Sequence, residues 1–232
     1  MPSFPWEDLL ARWTEEIAQY SDGEDDPATH NRRTGPLPPA GAPEDEIAAS
    51  EARLGITFPP SYRQFLQVSN GWQAGSRHLR RVSEVQWLSI EDQAIIDAWV
   101  KAGLDDTVSD EEYLVYGADV NQPLRAEYLQ TALAIGEYDE GTYLLNPQTR
   151  TPEGEWEAWF FAHWVPGADR YRSFWDLMVA EHEHSLYILK SSKGEPTPRA
   201  DASLGVQADD LDGLLAALKE PAHRIAALQA LG

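Results

Sequence analysis

Apolar residues recur at spacings of three and four near the start of the chain: Trp6, Leu9, Leu10, Trp13, Ile17 and Tyr20. That period draws one apolar stripe along a helix over 3–20, with Ser3 as its N-cap and Pro5 in the first turn. Residues 21–43 are rich in Pro, Gly and charge, which predicts a loop. A second helix is expected from Pro43 to Leu54, with Ile47 and Leu54 on one face and Gly55 as its stop. The stretch RLGITFPPSYRQFLQVSNGW, Arg53 to Trp72, then turns on Pro59 and Pro60 into a third helix over 60–69. Tyr62, Phe65, Leu66 and Ser69 share one side of it, Gly71 supplies a left-handed ending, and Trp72 returns to the core.

Beyond Trp72 the pattern becomes that of strands. Val82–Leu88 is expected as a strand, Ser89–Ala102 as a capped helix, and Tyr113–Tyr116 as a short strand. Thr131–Tyr138 and Thr142–Leu145 read as a hairpin joined through Asp139, Glu140 and Gly141, and Trp156–Val165 as an aromatic strand. Ser173 caps a long helix to about Leu189, with Phe174, Leu177, Met178, Leu186 and Leu189 inward. Helices first, then a largely antiparallel sheet, then a helix make an α+β arrangement. Residues 191–208 read as a linker, followed by two short helices over 209–219 and 222–231, split at Pro221. The expected organisation is an N-terminal helix and loop over 1–43, a main domain over 44–190, and a linker with a helical hairpin over 191–232.

Charge changes the picture. Among 232 residues there are 39 acidic and 18 basic, a net charge of −21. Such a chain repels nucleic acid and anionic membranes and draws in basic partners, although solubility alone also explains an acidic surface. There is no cysteine, which removes disulfides, thiolate catalysis and Cys-based zinc sites. No apolar run reaches the length of a membrane span, and the N-terminus lacks a signal-peptide pattern, so a cytoplasmic protein is expected.

Candidate chemistry is sparse. Glu181-His182-Glu183-His184 places its two histidines about 200° apart on a helix, so they do not share a metal. That run reads as a solvated helix face. His163 reads as packed or hydrogen-bonded within its strand. Walker, dinucleotide-binding and serine-nucleophile signatures are absent from the sequence, and neither catalytic residues nor a cofactor or metal are expected. Acidic loops are the best partner candidates: Asp105, Asp106, Asp110, Glu111 and Glu112 in one, and Glu137, Asp139 and Glu140 at the hairpin tip. Together these loops would face a basic surface; the bland alternative is a pair of solvated loops. Alternation along Trp156–Trp164 puts Trp159 and Phe161 on one face, where Trp159 would add an aromatic contact if the face were open. A sheet covered on both sides is the competing arrangement.

Several separated motifs occur in a telling order. Ile47, Glu51, Leu54-Gly55, Phe58-Pro59, Tyr62, Phe65-Leu66 and Asn70-Gly71, then Leu133-Ala134-Ile135-Gly136, Gly141, Tyr143, Leu144 and Asn146, then Ser173-Phe174 with Leu177, resemble the SUKH superfamily, the SMI/KNR-like domains. The likeness covers about residues 40 to 190. It implies an α+β binding domain without catalytic residues, of a kind that includes bacterial immunity proteins that neutralise cognate toxins. The first helix and the last 40 or so residues depart from the family pattern, and the ending from Leu214 to Gly232 looks like a single HEAT-type helix pair. The expectation is a non-enzymatic immunity protein that blocks a basic toxin domain. The alternative is an intracellular adaptor or regulatory protein-binding module.

Overall fold

The computed structural model describes residues 3–21, 37–102, 108–116, 122–162 and 167–194. The chain divides into one unit over Met1–Leu186 and another over Tyr187–Gly232. The expected C-terminal helix pair lies outside the described residues.

Helix α1 spans Trp6–Ser21 and buries Trp6, Leu9, Leu10, Trp13 and Ile17 as its period requires. It starts later than Ser3 would set it. Pro5, with no N–H to give, stands just outside, and its carbonyl accepts from Leu9 N at 3.1 Å. Helix α2 spans Glu44–Leu54 and α3 spans Pro60–Val68. The Trp6 indole donates to the Ser61 carbonyl at 3.0 Å, and its ring packs on Phe65 and Phe174. Trp13 meets Trp72 edge-on at 4.8 Å. The first helix is thus built into the aromatic core, where its rings bury large apolar area.

The end of α3 follows its sequence. Gly71 has φ 80°, and a Cβ there would lie 2.9 Å from the Leu79 carbonyl oxygen, so both backbone and space require glycine. Asn70 beside it is a clamp. Its Oδ1 accepts from Val82 N and its Nδ2 donates to Glu46.

Among the described residues, seven strands form one antiparallel sheet: β1 Trp72–Ala74, β2 Arg77–Leu79, β3 Gln86–Trp87, β4 Leu133–Tyr138, β5 Gly141–Arg150, β6 Trp156–Ala162 and β7 Ala168–Tyr171. The order is β1-β2-β4-β5-β6-β7, with β3 pairing β4 beside β2. The expected strand over 82–88 shrinks to two residues, because Arg81 to Glu84 close a turn through Arg81 O and Glu84 N. The expected helix over 89–102 is two helices, α4 Leu88–Glu91 and α5 Gln93–Ala102. Asp92 breaks it and accepts from Ile95 N at 3.0 Å.

Of the expected strand Tyr113–Tyr116, Tyr113 instead ends a helical turn, α6, Asp110–Tyr113, and residues 114–116 leave it as a turn and irregular backbone. Ser109 and Glu112 form a reciprocal capping box that starts it. A further turn, α7, spans Ala126–Leu129.

Both sheet faces are covered. On one, Ala134, Leu144, Trp159 and Phe161 pack with Leu88, Ile96, Trp99 and Leu129 from α4, α5 and α7. On the other, helix α8, Phe174–Ser192, lays Phe174 against Tyr62 and Phe65. The Tyr143 hydroxyl donates to Glu181 of the same helix at 2.7 Å. Ser173 caps α8, its hydroxyl accepting from Asp176 N at 3.1 Å. The run Glu181–His184 is not the solvated face expected. Glu181 and His182 are buried, while Glu183 and His184 are exposed. Glu181 pairs with Arg77 at 2.6 Å, and His182 hydrogen-bonds Glu16 on α1. Among the described residues, no helix is long and apolar enough to cross a membrane.

Candidate protein-binding surface

Alternation along β6 turns Glu157 toward the same face as Trp159, and β7 brings Arg170 opposite Trp159. The two form a fully buried ion pair, each side chain 0% exposed, at 2.6 Å. Every lone pair is used. Glu157 also accepts from the Tyr113 hydroxyl at 3.1 Å and from Asn146 Nδ2 at 2.9 Å. Arg170 donates on to the carbonyls of Tyr113 and Pro123, and its guanidinium lies 3.5 Å over the Tyr113 ring. Burial and the neighbouring Glu157 carboxylate raise the pKa of Tyr113, so its hydroxyl stays a donor. This cluster ties α6 to the edge of the sheet.

Helix α6 carries the first acidic cluster outward. Asp110, Glu111 and Glu112 are exposed. Asp110 accepts from Arg125 at 2.6 Å with 82% of its side chain in solvent, and Glu112 serves the capping box. Next in the chain come Leu114 and Val115, 52% and 65% exposed. Asp105 and Asp106 lie outside the described residues, as do His163 and Trp164.

Leu114 also lines a groove of about 520 Å³ with Phe4, Tyr116, Pro152, Glu153, Glu155, Arg172 and Asp176. Glu155 is its buried carboxylate, held by Ser61 N at 2.8 Å and the Ser61 hydroxyl at 2.6 Å. Desolvation lifts its pKa above the usual range, with Asp176 and Glu153 adding to the lift and the Ser61 hydrogen bonds opposing it.

The hairpin cluster is built differently. Asp139 and Glu140 are exposed at the β4–β5 tip, Asp139 with φ 55°. Gly141 is needed for space and not for its φ, since a Cβ there would meet the Phe160 ring at 2.4 Å. Glu137 is not open: Arg80 holds it at 2.8 Å and His78 at 3.0 Å. Burial alone would raise its pKa, but these hydrogen bonds outweigh it and the net shift is downward.

The two clusters sit apart. The tip adjoins Gly141, whereas Tyr113 at the end of α6 meets Glu157, the partner of Asn146 five residues along β5. That separation is roughly 17 Å along a strand. Trp159 is 0% exposed in the core beneath α5 and α7, so it presents no ring to a partner.

A family model of the SMI1 / KNR4 family (SUKH-1) matches residues 41–180. The chain belongs to that family. The matched segment of this SUKH-1 protein runs from just before α2 into α8 and leaves α1 outside it. No curated protein matches the chain.

Sequence reasoning missed Glu155, Glu157, Arg170, Leu114 and Tyr116. Only the capping box Ser109-x-x-Glu112 was a readable local signal. It fixes where α6 begins and therefore where Leu114 emerges.

Proposed function

We propose that this SUKH-1 protein is a non-enzymatic immunity protein that binds and neutralises a cognate toxin. The observation that carries the reading is the α6 face, where Asp110, Glu111 and Glu112 stand exposed beside exposed Leu114 and Val115. Carboxylates beside an open apolar pair suit a protein interface with a basic patch on the partner. The net charge of −21 supports the same choice, because it steers a basic domain toward the acidic face. Family membership supports a binding role, and the rigid tie of α6 to Glu157 and Arg170 supports a preformed surface.

The test is a tagged capture from the native cell at low and moderate salt, followed by co-expression of the captured partner with and without this protein. One stoichiometric basic partner whose toxicity is suppressed supports the reading. Several weak housekeeping partners with no toxicity to suppress would contradict it and favour an adaptor.

A further inference from the structure

The groove beside α6 has chemistry of its own. Glu155 is 5% exposed, and among the described residues the two hydrogen bonds that its carboxylate accepts both come from Ser61, which orients the carboxylate without supplying a counter-charge. Asp176 lines the same groove, engaged with the Ser173 hydroxyl. The groove's two arginines are turned to rings instead. Arg172 lies 5.2 Å over Tyr116 and Arg150 5.2 Å over Trp156, and neither makes an ion pair with Glu155 among the described residues. Leu114 adds an exposed apolar wall.

An oriented buried carboxylate with no cation, a second carboxylate, a ring and an apolar wall match one side chain well. Arginine has a planar fork for carboxylates, a weakly hydrated charge that tolerates burial, and a methylene arm for the wall. Lysine, a compact and strongly hydrated charge, loses more on entering. The space of about 520 Å³ also admits a flanking residue.

We propose that the groove is the docking pocket for an arginine side chain of the partner protein, with the guanidinium reaching Glu155 and Asp176 and the methylenes lying on Leu114. This rests on the protein-binding reading above and names the chemistry the partner presents. It places the arginine next to the acidic residues of α6, so steering and anchoring act on adjacent surfaces.

The experiment titrates the isotope-labelled full chain with acetyl-arginine amide and, separately, acetyl-citrulline amide, the neutral isostere, following amide signals by NMR. The arginine probe is expected to shift Leu114, Glu155 and Asp176 in a saturable way, with the citrulline probe about tenfold weaker because it lacks the charge. Glu155→Gln keeps an acceptor for the Ser61 donors and removes the charge, and is expected to weaken the arginine probe by a similar factor of about ten. Leu114→Arg changes an exposed side chain, leaves the core intact and closes the groove with a competing cation, so it also abolishes the response. Equal responses to the two probes, or an arginine response unchanged in both variants, would overturn the proposal. If the captured toxin binds normally to Glu155→Gln and Leu114→Arg, the arginine pocket fails and the immunity reading stands. If the arginine probe saturates the groove but no toxin is found, the pocket stands and the immunity reading fails.

Discussion

The two acidic clusters look alike in sequence and differ in what the fold does with them. At the hairpin, the deepest carboxylate, Glu137, is matched by Arg80 and His78, and its cluster closes an aromatic tip over Phe160. At α6, the carboxylates stand over a buried pair that is already satisfied, and exposed leucine and valine follow them. Charge density in the sequence therefore does not mark an interface. What sets α6 apart from the hairpin is exposed charge next to apolar surface that the core has not taken, Leu114 and Val115.

The largest expected effect breaks the anchor beneath α6. Arg170→Ala strands Glu157 in the core and should cost about 3–5 kcal/mol, read from urea unfolding. The matching change at the hairpin, Glu137→Gln, removes a half-exposed pair and should cost less than about 1 kcal/mol. Equal losses would erase the distinction between the two regions.

Association comes next. Replacing Asp110, Glu111 and Glu112 by lysine should slow binding of the basic partner by about tenfold or more at low salt, and less as salt rises. The same exchange at Asp139 and Glu140 should change the rate by no more than about twofold, because that tip is away from the groove.

A smaller effect is the pH dependence of stability, and it has opposite signs at the two sites. The Glu155 pKa is raised on folding, so its ionisation opposes the fold and stability falls as pH climbs from the ordinary value of 4.5 through the folded one. Glu155→Gln should flatten that fall and raise stability at neutral pH. The Glu137 pKa is lowered, so its contribution is present above its ordinary value and is lost as acid takes the pH down through the folded one. Glu137→Gln should remove that acid loss. Thermal melts across pH read both.

Much of the scaffold was legible because its signals are local. Gly55 and Gly71 are left-handed where the helices stop, Pro60 opens α3, and Ser173 caps α8. The stripe of α1 is buried as its period requires. Tyr113–Tyr116 misled because the capping box at Ser109 outweighs the strand preference of aromatic and β-branched residues. Trp159 misled because period-two alternation assigns a face but not what covers it, and α5 and α7 cover this one. The groove was invisible for a different reason. Ser61 and Glu155 are 94 residues apart, and Tyr113 and Arg170 are 57 apart. Pairing at that distance is set by the sheet order and leaves no mark in either segment alone.

The most direct test of the central claim is the association rate of the purified partner with the wild type and with the α6 triple lysine variant, measured across salt. The account predicts a fast wild-type rate that falls as salt rises, and a slow variant rate that barely depends on salt. Equal rates and equal salt slopes in the two proteins would contradict it and take α6 out of the interface.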